Sequence, residues 1–133
     1  MIRVASAALL IAVTIHSPQL RAEGRKFQAF GVTSHKVAGL KFNFSEADAS
    51  SSSPVVISAT GRELTNEDRA DRTSLQQYWL SINVPKNLTL RSHTLDQCDY
   101  KRTGESPSCD HYTYQDPATR EEFHYYIYVG NWP

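Results

Sequence analysis

The stretch Asp116-Pro117-Ala118-Thr119 constrains this chain more than any other, because it joins two alternating runs and forces them to face each other. Asp at the first position of a turn accepts a backbone N–H ahead of it, and Pro presets φ at the second, so a type I reversal is expected. Beyond it, Phe123, Tyr125, Ile127 and Val129 alternate with His124, Tyr126 and Tyr128, the period of a strand rich in aromatic and β-branched residues. A turn closed by Asp116 and Thr119, or by Gln115 and Arg120, pairs Tyr112 with Phe123 and Tyr114 with Glu121. The same register sets His111 opposite His124 and Thr113 opposite Glu122 on the outward face. A slip of one residue would undo that arrangement.

Immediately upstream runs Cys98-Asp99-Tyr100-Lys101-Arg102-Thr103-Gly104-Glu105-Ser106-Pro107-Ser108-Cys109, and these are the chain's 2 cysteines. Their compartment follows from the N-terminus. Met1-Ile2-Arg3, an apolar run from Val4 to Ile15 and a small residue at Ala22 form the pattern of a signal peptide over 1–22, with a single secreted β-domain over 23–133. The apolar run is too short for a membrane span, which needs about 20 residues. In an exported chain the two cysteines are expected to pair, since their spacing is far wider than that of a redox or zinc-binding C-x-x-C. The product is expected outside the cell, or in the periplasm if the source is bacterial. Asn43-Phe44-Ser45 and Asn87-Leu88-Thr89 fit the N-glycosylation pattern, so Asn43 and Asn87 are acceptors in a eukaryotic source.

Without Arg3 and Arg21 the mature chain carries 12 basic against 14 acidic residues and no basic block, which argues against nucleic acid as a partner. Strands are read at Phe27–Val32, Lys36–Phe44, from Val55, at Leu75–Val84 and at Leu88–Leu95, with Thr33-Ser34-His35 as a turn and Ser45–Pro54 as a serine-rich loop. Leu75–Val84 reads as the central strand, with Tyr78, Leu80, Ile82 and Val84 on one face and Gln77, Trp79, Ser81 and Asn83 on the other. The charged stretch from Thr60 to Ser74 reads as a loop or a helical turn or two, capped by Thr65 or Asn66; a sharper reading makes Arg62, Arg69 and Arg72 a recognition loop. The expected fold is therefore all-β and mostly antiparallel: a small sandwich or barrel of about seven strands, one disulfide and at most a short helical turn.

Three constellations bear on function. Outward aromatics Trp79, Tyr126, Tyr128 and Trp132 offer faces for stacking a sugar or filling a protein interface. His111, His124 and Glu122 are the candidates for acid–base work or for holding a divalent ion, set against the plainer reading of two exposed histidines on a solvated sheet. Asp96, Asp99, Asp110 and Asp116 gather around the cysteines, but their spacing matches no calcium loop. No nucleophile motif or phosphate-cradling glycine loop is present, and no cofactor or resident metal is expected. The functional expectation is a binding module for an extracellular protein or glycan, as an inhibitor, effector or adhesin-like domain. The alternatives are a carbohydrate-binding module and a small hydrolase or metal-binding protein built on the histidine pair.

Overall fold

A computed structural model describes residues 40–133 in full and the backbone of 31–33. The signal peptide with its cleavage site, most of the strand read at 27–32 and the turn at 34–35 lie outside the described residues. Among those described, no helix is long and apolar enough to cross a membrane.

In chain order the elements are β1 (Gly31–Thr33), β2 (Lys41–Phe44), β3 (Val55–Thr60), a 3-10 turn (Asn66–Asp68), α1 (Arg69–Asn83), β4 (Thr89–Gln97), β5 (Ser108–Gln115) and β6 (Glu122–Tyr128). The five strands from β2 onward, with the three-residue β1 added at one edge, make one mixed sheet in the order β1-β2-β3-β6-β5-β4. Neighbours are antiparallel except β3 and β6, which run parallel with Val55 beside Ile127 and Val56 beside Tyr128. The seven-stranded sandwich or barrel is thus corrected to a single sheet covered on one face by a helix.

The largest departure is α1, where a central strand was expected. Residues 75–84 carry two periods at once, an alternation at 78, 80, 82 and 84 and a helical stripe. The stripe wins because it extends back through Asp68, Asp71, Leu75, Gln76, Trp79 and Leu80, all of them buried. Helix entry is well specified: Thr65 and Asp68 form a capping box, the Thr65 side chain facing the Asp68 backbone N–H and the Asp68 carboxylate accepting from the Thr65 backbone N–H at 2.7 Å, and the carboxylate also accepts from the Thr65 hydroxyl at 3.2 Å. At the other end Asn83 donates to the Trp79 carbonyl at 2.8 Å and Lys86 to the Ser81 carbonyl at 2.6 Å, just beyond Pro85.

Helix and sheet enclose the main core. Phe42, Phe44, Val55, Ile57, Tyr112, Phe123, Tyr125 and Ile127 point inward from four strands and meet Leu75, Trp79 and Leu80 of α1. Trp132, after the last strand, stacks on Phe42 with centroids 5.9 Å apart. A smaller cluster lies on the opposite face, where Cys98, Cys109 and Tyr128 pack with Val56, Tyr100 and Tyr126. The expected Cys98–Cys109 disulfide is present and ties the end of β4 to β5. Ser51 bonds both the Asp99 carboxylate, at 3.1 Å, and the Asp99 backbone N–H, at 3.0 Å, so the serine-rich loop and the disulfide loop brace one another.

Asp68 also receives both terminal nitrogens of Arg62 at 2.9 Å. That ion pair, followed by the Thr65 backbone N–H, holds the Asp68 carboxyl well below the usual aspartate range. A depressed folded-state pKa adds stability that is present above the unfolded value, near 4, and is lost as pH falls below it. Urea midpoints for the wild type are therefore expected to drop more between pH 7 and pH 2.5 than those of Asp68→Asn. Parallel curves would show that this carboxylate contributes nothing to acid sensitivity.

Candidate functional site

The β5–β6 hairpin closes two residues later than a turn at 116–119 requires. Asp116 Oδ1 accepts from the Ala118 N–H at 2.9 Å as expected of Asp in that position, but Arg120 adopts φ 62° and its N–H reaches the Asp116 carbonyl at 2.7 Å. The Asp116 N–H then bonds the Glu121 carbonyl at 2.9 Å, so the loop spans 117–120. Tyr112 accordingly pairs with Tyr125, Tyr114 with Phe123, His111 with Tyr126 and Thr113 with His124. Because the shift is even, every side chain stays on its expected face. His111 and His124 become diagonal neighbours rather than opposed ones.

That diagonal brings the rings into contact. His111 Nε2 lies 2.8 Å from His124 Nδ1, and the Thr113 hydroxyl sits 3.4 Å and 3.3 Å from the same two nitrogens. On the far side of each imidazole stands a carboxylate, Asp96 Oδ2 at 2.6 Å from His111 Nδ1 and Glu122 Oε2 at 3.8 Å from His124 Nε2. The His111 hydrogen bond lowers the Asp96 pKa. Tyr126 stacks on the His111 ring at 4.2 Å with the planes 12° apart. Four side chains thus form one string, Asp96–His111–His124–Glu122, across three strands of the outer sheet face. Glu122 sits behind His124 rather than between the rings, which corrects its expected position as a third ligand.

A second imidazole–carboxylate pair occupies the inner face of the same strands, and sequence reasoning missed it. Asp110, buried at the helix–sheet junction, accepts from Gln76 Nε2 at 2.6 Å and lies 3.1 Å from His93 Nε2, with Arg72 Nε at 3.8 Å. Tyr112 donates its hydroxyl to Gln76 Oε1 at 2.5 Å and stacks on His93 at 4.1 Å. Burial, with the Asp110 charge second, pushes the Tyr112 phenol up. An ionised carboxylate only accepts, so His93 Nε2 carries the proton of this contact. A usable signal was the disulfide: two bonded cysteines near the end of a strand pair hold its register within about two residues. That alone sets Asp96 near His111; His93 nears Asp110 only through the observed register, which pairs Asp96 with Cys109 and His93 with Tyr112.

The aromatic platform does not exist as expected. Trp79, Tyr128 and Trp132 are buried, and only Tyr126 keeps a partly open face, already against His111. A helix turns Trp79 inward with Leu75 and Leu80, where it meets Tyr125 edge-on at 6.3 Å, and exposes Tyr78 and Ile82 instead. Tyr128 is roofed by the disulfide loop through Tyr100 at 5.0 Å. The three arginines of the charged stretch hold the fold together: Arg62 pairs with Asp68, Arg69 donates to the Pro133 carbonyl, and Arg72 faces Asp110. The four aspartates are dispersed, with Asp110 on the inner face, Asp96 on the outer, Asp99 in the disulfide loop and Asp116 in the turn. Asn43 is half-buried within β2 and Asn87 exposed before β4.

Among the described residues, grooves flank the sheet at two places relevant here. One of about 740 Å³ is lined by Arg62, Leu64, Arg102, Asn131 and Trp132, beside the C-terminus. The other, about 270 Å³, is lined by Leu80, Val84, Leu88, Leu90, Tyr112 and Tyr114 and opens along the start of β4. No protein-family model, curated protein or solved structure matches the chain.

Proposed function

We propose that this chain is an exported binding module that takes an extracellular protein by strand addition along β4. The observation that carries the reading is the state of that strand: β4 is the end of the sheet order, nine residues long, and every position but Asp96 is exposed. An unpaired strand edge presents a row of backbone donors and acceptors, and folded proteins ordinarily blunt such edges. Among the described residues no strand lies outside β4, and its pairing with β5 shifts register between Leu90 and Ser92, leaving Ser92–Gln97 regular. Leu90 and Leu95 stand 49% and 66% exposed on it. The 270 Å³ groove beside Leu90 adds a pocket for an apolar side chain, so backbone bonding supplies affinity and the pocket selectivity.

An extended partner segment with an apolar residue at the groove fits this surface better than a glycan does, because Trp79, Tyr128 and Trp132 are buried and Tyr126 is stacked on His111. The test is capture from native extracellular fluid on the disulfide-intact protein, beside a Leu90→Lys/Leu95→Lys variant. Both side chains are in solvent, so folding is retained. A discrete protein recovered by the wild type and at least tenfold less by the variant is expected. Equal recovery from both would remove β4 from the reading.

A further inference from the structure

The geometry points to a divalent transition-metal site, of a type suited to Cu(II), between His111 and His124 on the outer sheet face. Among the described residues no group of three His, Cys, Asp or Glu side chains is arranged to hold a metal. The donor set here is different: two imidazole nitrogens and one hydroxyl, His111 Nε2, His124 Nδ1 and Thr113 Oγ1, within 3.4 Å of one another.

Tautomer logic leads to a cation. Asp96, acting only as acceptor, fixes the proton of His111 on Nδ1 and leaves a lone pair on Nε2. The 2.8 Å contact then requires His124 to donate from Nδ1. A neutral His124 doing so would aim the bare lone pair of Nε2 toward the Glu122 carboxylate, 3.8 Å away. A second proton on His124 removes the conflict, and so does a metal ion in place of the shared proton: both facing nitrogens then coordinate, and both far nitrogens carry protons directed at carboxylates. A carboxylate behind each ligating imidazole is the arrangement that orients metal-bound histidines and raises their basicity.

Separation of the donors bears on which ion fits. With metal–nitrogen bonds of about 2.0–2.1 Å, nitrogens 2.8 Å apart subtend an angle near 90°. That is the cis angle of a tetragonal site, favoured by Cu(II) and Ni(II), whereas a tetrahedral zinc site spreads its nitrogens to about 3.4 Å. The stack of Tyr126 on His111 and the antiparallel pairing of Thr113 with His124 hold this spacing from below. The ion would face solvent on its remaining positions, since His124 is 41% exposed.

Titrating the disulfide-intact protein with Cu(II) alone, followed by calorimetry and electron paramagnetic resonance, tests the site. One equivalent is expected, with a tetragonal signal split by two imidazole nitrogens and with proton release on binding. His124→Ala is expected to lose the two-nitrogen signal and weaken binding at least tenfold, while His93→Ala changes neither. Asp96→Asn, a change behind the ligand, is expected to weaken binding roughly 10- to 100-fold while keeping the two-nitrogen signal. Unchanged affinity and spectrum in a folded His124→Ala, or in a folded His111→Ala should the first variant not fold, would overturn the proposal. A one-nitrogen signal from the wild type would do the same.

Discussion

Trp79→Ala is expected to destabilise the protein by about 3–5 kcal/mol, the range for removing a large buried aromatic side chain from a packed core. Trp79 is 3% exposed, sits on the α1 stripe between Leu75 and Leu80, and meets Tyr125 edge-on beneath the sheet. Alanine restores only a few tenths of a kcal/mol in helix propensity, far less than the lost burial and the cavity left behind. Urea denaturation followed by far-ultraviolet circular dichroism measures it. An outward Trp79 on a strand would instead cost within about 0.5 kcal/mol, so a result near zero would refute both the helix and its orientation.

Removing the disulfide is the second large effect. Cys98→Ala/Cys109→Ala is expected to cost about 3 kcal/mol, the entropy returned to the unfolded chain when a loop of this length is opened. In the folded state β4–β5 pairing already closes the loop, with Gln97 beside Ser108 and Asp96 beside Cys109. The bond therefore acts mainly on the unfolded ensemble. Truncating the fully buried Cys109, in contact with Tyr128, adds to the loss. Denaturant midpoints of the variant and of the wild type, each with and without reductant, separate the contributions: reductant should shift the wild type alone. A wild-type midpoint indifferent to reductant would show that the bond carries no stability.

The His111–His124 pair and the His93–Asp110 pair illustrate what is readable in a strand sequence. Parity is: His111, Thr113, His124 and Tyr126 share one face because side chains alternate, and any even error in register leaves that true. Distance is not. Whether His111 meets His124 directly or diagonally depended on Arg120 taking a left-handed conformation, a choice that composition at 116–121 does not dictate. The partners of those histidines were further out of reach, because Asp96 and His93 come from β4, whose register against β5 is a separate variable. Gln76, which joins Asp110 to Tyr112 across the helix–sheet junction, belongs to a segment that reads equally well as strand.

Local chemistry in the chain determined the disulfide, the reversal after Asp116, the capping signal at Thr65 and the strand character of 108–115 and 122–128, since each rests on residues near one another in sequence. Tertiary structure decided the rest. An apolar pattern at 75–84 serves a two-residue and a 3.6-residue period alike, and only the sheet beneath it, offering Phe42, Phe44, Tyr125 and Ile127 to one stripe, selects the helix that buries Leu75, Trp79 and Leu80 together. Once α1 covers the inner face no second sheet is needed, so a sandwich gives way to one mixed sheet. The same choice withdraws Trp79 from the surface and leaves β4, among the described residues, as the outermost strand of the sheet.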